Sequence, residues 1–175
     1  MKYNIKLPMD LETRKKLRAG DEVYLTGIIY TARDAAHKRL HELREKGEPY
    51  PFDVKDAIIY YVGPTPPKPG HAVGSAGLTT ATRMDPYAPE LLDDGLAGMI
   101  GKGRRSKEVV DAIIRNNAIN FVAVGGAGAL LSQSIKKAEP VAFEDLLSEA
   151  IVRLTVEDFP CFVGVDTLGN DIYDE

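Results

Sequence analysis

Residues 22–34, Glu22-Val23-Tyr24-Leu25-Thr26-Gly27-Ile28-Ile29-Tyr30-Thr31-Ala32-Arg33-Asp34, decide the fold. From Glu22 to Tyr30 the run is rich in β-branched and aromatic residues, which predicts a strand. Beyond it Ala36, Leu40 and Leu43 recur at helical spacing and Gly47 stops the pattern, so residues 34–46 are expected to form a helix with Asp34 as N-cap. The same alternation continues in both directions. Residues 3–7 alternate like a short edge strand, and residues 57–62 form a short apolar strand of the buried type. Met99-Ile100 is another, ending in Gly101-Lys102-Gly103. Ser106 is a suitable N-cap for a helix reaching Asn117. Residues 119–124 form a buried strand, and Gly125-Gly126-Ala127-Gly128 opens a helix through about residue 137. Residues 151–156 and 159–166 are the last two strands, before a turn at Leu168-Gly169-Asn170. Strands alternating with helices predict a single α/β domain over residues 1–175, with a mixed sheet.

The 175 residues, 44% hydrophobic and 27% charged, have the composition of a globular domain with a real core. The formal net charge of −4 argues against broad phosphate-backbone binding, so no nucleic-acid partner is expected. The first residues lack the apolar run of a signal peptide, and no stretch approaches the ~18 apolar residues that span a bilayer. A cytoplasmic protein without a membrane partner is therefore expected. Cys161 is the single cysteine. It excludes an intrachain disulfide framework and a complete thiolate-held iron–sulfur cluster from one copy of the chain. Its setting, Phe159-Pro160-Cys161-Phe162-Val163, predicts a packed core thiol.

The regular pattern breaks at residues 63–77, which include Gly63-Pro64-Thr65-Pro66-Pro67-Lys68-Pro69-Gly70. Neither a helix nor a central strand is expected there. A long loop inside a domain is usually functional, and this one runs into Thr79-Thr80-Ala81-Thr82-Arg83-Met84-Asp85. If that segment is helical, Thr79 and Arg83 share a face, where a hydroxyl and a guanidinium suit an oxyanion. The alternative is an N-cap threonine followed by a surface arginine. Arg33 stands where a strand meets a helix start, a place that attracts anions, and its planar fork matches a carboxylate. The alternative is an ion pair with Asp34 or another acid. Lys102, between two glycines, is free to point into a site. The alternative is a charged turn, with Arg104, Arg105 and Lys107 forming a solvated basic face. His37 reads as a structural helix residue, and His37, His41 and His71 do not make a metal-ligand set. Gly125-Gly126-Ala127-Gly128 lacks the third glycine of a dinucleotide loop, with Leu131 in its place, and suits close strand–helix packing.

Together these segments resemble a known family. Thr26 to Arg39, Tyr61-Val62-Gly63-Pro64-Thr65-Pro66, Gly77-Leu78-Thr79-Thr80-Ala81-Thr82-Arg83-Met84-Asp85, Met99-Ile100-Gly101-Lys102-Gly103 and Gly125-Gly126-Ala127 are similar, in order, to the beta-type region of class I fumarases and L-tartrate dehydratases. One position departs: Leu78 stands where the family usually has proline, which leaves substrate preference open. The resemblance implies a swivelling β/β/α domain with a mixed sheet. It implies a hydro-lyase active only as a hetero-oligomer, with an alpha subunit holding a [4Fe–4S] cluster whose open iron acts on the substrate hydroxyl. It also implies that Arg33, Arg83 and Lys102 bind the carboxylates of a small dicarboxylate and that Thr79 is the base. Fumarate hydration is the leading expectation, tartrate dehydration the second. A non-catalytic dicarboxylate-binding or assembly module is a third, against which the intact set of Arg33, Thr79, Arg83 and Lys102 argues.

Overall fold

Two long strands carry the sheet: β2 (Glu22–Thr31) and β9 (Ile151–Val165). The computed structural model describes residues 2–64, 76–78, 81–123 and 133–173. Around the long strands lie β1 (Lys2–Lys6), α1 (Leu11–Lys16), α2 (Asp34–Glu45), β3 (Ile58–Tyr60), β4 (Val62–Pro64), β5 (Ala76–Leu78), a 3-10 turn at Ala81–Met84 and α3 (Ala88–Asp93). β6 (Gly98–Gly101), α4 (Lys107–Asn116), β7 (Ile119–Ala123), β8 (Ile135–Ala142) and a second 3-10 turn at Glu144–Glu149 complete the order.

The main sheet runs β1-β2-β3-β6-β7-β9-β8, and a further pairing of β2 with β9 closes it. β1, β2, β3, β6 and β7 pair in parallel, whereas β9 pairs antiparallel with β2, β7 and β8. Parallel neighbours need crossover connections, which α2, α3 and α4 supply. Each shows its cause in the sequence. In α4, Ser106 Oγ accepts from Val109 N–H at 3.4 Å, the buried Val109, Ala112 and Ile113 lie on one face, and Asn117 ends the helix in the left-handed conformation at φ 50°.

The ring is filled by side chains. The Tyr60 and Phe159 rings meet edge-on at 5.2 Å, although β3 and β9 are not neighbours in the sheet, so the contact spans the interior. Val23, Leu25, Phe121 and Cys161 belong to the same buried cluster. The opposite face of β3 and β6, at Ile59, Tyr61 and Met99, packs on Leu40 of α2, Leu91 and Leu92 of α3 and Ile113 of α4. Burial on both faces explains why these strands read as unbroken apolar runs.

The structure matches the expected α/β class with a mixed sheet, and adds that the sheet is closed. Five local expectations change. Asp34 is the first residue of α2, not its cap. Extended backbone persists through Arg33, which occupies the cap position without a capping side-chain bond. The helix expected through residue 137 does not reach that far: residues 133–134 are helical, and from Ile135 the chain is strand, because the edge of β9 needs a partner and β8 supplies it. The two last strands are one, β9. Two of its residues, Glu157 and Asp158, oppose Thr26 where Leu25 faces Phe159 and Gly27 faces Val156. Asp158 bulges at φ 51° and its N–H donates to Thr26 Oγ1 at 3.1 Å. The ends of the Pro/Gly segment form a ladder, Val62 with Leu78 and Pro64 with Ala76, while residues 65–75 lie outside the described residues. Arg105 is buried rather than solvated. Short helices α1 and α3 were not anticipated. Among the described residues no helix is long and apolar enough to cross a membrane.

Gly98 marks a close contact between strand backbones. A Cβ there would sit 2.6 Å from the Ile119 carbonyl oxygen and 3.3 Å from the Phe121 ring. Gly98→Ala is expected to lower stability by about 1–3 kcal/mol, as overpacking of a rigid interior does. Urea unfolding of the two proteins measures it, and an unchanged midpoint would mean that β6 and β7 separate freely.

Candidate anion site at the parallel strand ends

Parallel pairing aligns Thr31, Tyr60, Ile100 and Phe121 in one row across β2, β3, β6 and β7. The chain leaves that row at Arg33, at Tyr61, at Lys102 and towards the glycine run at 125–128. In α/β folds, whether the sheet is open or closed, ligands gather at the carboxyl ends of the parallel strands. The topology therefore gathers at one end segments that lie far apart in sequence.

Arg83 joins this end through α2. Its Nη1 lies 3.6 Å from Asp34 Oδ2, and its side chain remains 60% exposed. It sits in the 3-10 turn, not in an α-helix. Lys102 is exposed just beyond β6. Thr79, Thr80, His71 and the glycine run at 125–128 lie outside the described residues.

The start of α2 has unfilled polar groups. Arg33 Nε, Asp34 Oδ1 and His37 Nε2 are buried and find no hydrogen-bond partner among the described residues. His37 Nδ1 lies 2.8 Å from the Arg33 carbonyl oxygen. A carbonyl only accepts, so the proton is on Nδ1 and Nε2 carries the lone pair. Burial pulls the imidazole pKa down to about 4; the Arg33 carbonyl opposes this and the Arg105 charge adds to it. The ring is neutral near pH 7. It packs edge-on against Tyr61 at 5.4 Å. Arg33 Nε, a guanidinium donor with no partner among the described residues, thus stands at this helix start with the second guanidinium, that of Arg83, one ion pair away.

The largest addition to the sequence reading is Arg105. Its side chain is fully enclosed, with Nε 2.7 Å from Asp85 Oδ1, Nη1 2.9 Å from Asn120 Oδ1 and Nη2 3.1 Å from the Tyr61 hydroxyl. Asp85 Oδ2 also accepts from Ser106 N–H at 2.9 Å. Gly103, at φ 92°, turns the chain after Lys102, and Arg105 enters the interior two residues later. Burial works against the Arg105 charge, but Tyr61 and Asp85 together hold it protonated. Burial also raises the Tyr61 phenol, which stays neutral, so Asp85 supplies the balancing charge. A signal for this network existed: Asn120 interrupts the apolar strand Ile119–Ala123, and a buried amide requires a partner. Arg104, by contrast, stays at the surface, bonded to the Tyr173 carbonyl. On the outer side of α2, His41 Nδ1 lies 2.6 Å from Glu90 Oε1, and Arg44 pairs with both Glu90 and Asp94. These groups form a surface ion network that ties α2 to α3.

The fold is an α/β domain with a closed mixed sheet, and it carries guanidinium and ammonium groups at its parallel strand ends. The sequence model of the fumarase C-terminus matches residues 2–175, and the chain belongs to that family. It is 40% identical over 178 aligned residues to fumarate hydratase 2 of Leishmania major, covering 99% of this chain and 31% of that protein. It is 43% identical over 153 residues to the aerobic class I fumarate hydratase of Escherichia coli, covering 86% of this chain and 28% of that enzyme. A Methanocaldococcus jannaschii protein bearing the name L(+)-tartrate dehydratase subunit beta is 39% identical over 167 residues, covering 92% of this chain and 86% of that one. The chain thus spans about a third of the length of the fumarate hydratases it matches.

His37 makes stability pH-dependent in a defined window. Its folded pKa, about 4, lies below the unfolded value near 6.5, so the unfolded chain binds more protons between these limits. Stability from the neutral ring is complete above about pH 6.5 and is lost as pH falls towards 4, by on the order of 3 kcal/mol. Urea unfolding from pH 4 to 7 should show this slope, and His37→Asn should flatten it. The same slope in both proteins would assign the acid sensitivity to other groups.

Proposed function

We propose that this chain is the beta subunit of a [4Fe–4S]-dependent hydro-lyase and supplies the carboxylate-binding half of its active site. Reversible hydration of fumarate to malate is the reading the relatives favour, and the observation that carries it is the cationic start of α2. There an unpartnered buried Arg33 Nε stands beside Asp34, whose carboxylate brings Arg83 to 3.6 Å. Arg33 and Arg83 grip one end of a small dicarboxylate, and Lys102, leaving the neighbouring strand end, holds the other. Thr79 is the proposed base. Removing a proton beside a carboxylate places extra negative charge on that carboxylate, and fixed cations already aimed at it stabilise the transition state without reorganising. The same cations favour the threonine alkoxide by lowering the hydroxyl pKa.

The cluster does not fit this chain. Cys161 is the single cysteine; it lies fully buried in β9, and burial pushes its thiol pKa upward, away from the thiolate a metal needs. A partner alpha subunit is proposed to hold it, in a hetero-oligomer. Dehydration of L-tartrate is the second reading, supported by the relative named as a tartrate dehydratase beta subunit, whose 39% identity nearly equals that of the fumarate hydratases.

Co-expression with an alpha-type partner under anaerobic conditions, followed by assays on fumarate and on L-tartrate, tests the proposal. Turnover of neither substrate by a cluster-loaded complex would overturn it. In the active complex, Arg83→Ala is expected to lower kcat/KM roughly thirty-fold to a thousand-fold, through loss of a charged hydrogen bond worth about 2–4 kcal/mol. Lys107→Ala, whose side chain is 88% exposed, should change it less than about fivefold. Equal effects would remove Arg83 from the site.

Lys102→Ala and Thr79→Ala should fail differently. The lysine holds a carboxylate in ground and transition states, so its loss raises KM as well as lowering kcat. The threonine acts in proton removal, so its loss lowers kcat, largely spares KM and abolishes exchange of the substrate's C3 hydrogen with deuterated solvent. Normal exchange in Thr79→Ala would place the base on the partner.

A further inference from the structure

We propose that Arg105 is a positioning residue for the carboxylate site, and that its pairing with Asp85 sets the spacing between Arg83 and Lys102. The inference rests on the function proposed above and adds the element that builds the site.

Arg105 is only 4% exposed, and each of its three guanidinium nitrogens has a separate oxygen partner. Those partners come from different segments. Asp85 follows Arg83 by two residues, and Arg105 follows Lys102 by three. Tyr61 stands at the end of β3, before the Pro/Gly segment, and Asn120 lies on β7, before the glycine run. The Asp85 carboxylate is held from both sides, by Arg105 Nε and by Ser106 N–H. The guanidinium also lies 5.0 Å from the Tyr61 ring centre, which fixes its plane. Arg83 and Lys102 are themselves exposed, so their own contacts set their positions only weakly.

Apolar residues of similar size often replace a buried ion pair without loss of stability. Stability alone therefore does not account for a guanidinium here. What apolar packing lacks is direction. A planar fork on one segment, bonded to three others, fixes their register, and a reacting group displaced by about 1 Å can cost two orders of magnitude in rate. Lysine keeps the charge but replaces the fork with a single ammonium, so Arg105→Lys tests direction separately from charge.

The test is a double-mutant cycle in the assembled alpha–beta enzyme, with fumarate and L-tartrate as probes. Arg105→Lys is expected to lower kcat/KM about 10- to 100-fold, mainly through KM, while circular dichroism and assembly stay normal. In an Arg83→Ala background the same substitution should cost less than about threefold, because the group it positions is gone. A merely structural Arg105 would cost the same factor in both backgrounds, and that result overturns the proposal. So does wild-type kinetics in Arg105→Lys. Tyr61→Phe removes only one hydroxyl from the network, so it runs the same cycle should Arg105→Lys fail to fold. It is expected to lower kcat/KM about threefold to tenfold, with the effect vanishing in Arg83→Ala. An inactive wild-type complex with both substrates would instead defeat the proposed function.

Discussion

The antiparallel pairing of β2 with β9 is the constraint on which the rest of the molecule depends. Without it the edge of β2 that faces β9 would be unpaired, and the sheet that runs from β2 through β3, β6 and β7 to β9 would stay open. With it the sheet closes, Tyr60 meets Phe159 across the interior, and the helices are confined to the outside. The parallel strands then end together. Arg33 and Lys102, which leave two of those ends, are brought to the same rim by backbone hydrogen bonds rather than by any contact of their own.

At that rim the polar groups divide the work. The start of α2 leaves one donor, Arg33 Nε, and two acceptors, Asp34 Oδ1 and His37 Nε2, without partners among the described residues, and His37 fastens the first turn through the Arg33 carbonyl while remaining uncharged. Beneath it, Arg105 and Asp85 form a satisfied pair that joins four segments.

Much of this was legible in the sequence. The alternation of strand and helix, the buried Cys161 and the cap at Ser106 follow from periodicity and local chemistry, and the structure agrees with each. The cationic residues of the candidate site stood out in the sequence because glycines and strand ends set them apart. Closure of the sheet was hidden, since no local pattern states which edges meet. The start of β8, up to about residue 137, was read as helix for the same reason: its strand conformation is imposed by β9, a partner distant in sequence. Arg105 was misread because three neighbouring basic residues look alike, and only the oxygens of Asp85, Asn120 and Tyr61 distinguish the buried one. For Arg83 the sequence supplied the residue but not its geometry, which depends on Asp34 of another element.

The placement of sulfur has a further consequence. Cys161, Met84 and Met99 are wholly enclosed and Met9 almost so, which leaves every sulfur among the described residues away from solvent. Peroxide attacks exposed thiolates and thioethers first, and a neutral, enclosed thiol offers neither access nor nucleophile. These four side chains are therefore shielded from the first oxidative attack. If the assembly carries an oxygen-sensitive centre elsewhere, damage there leaves this chain intact, and restoring the centre recovers the whole without new synthesis of this part.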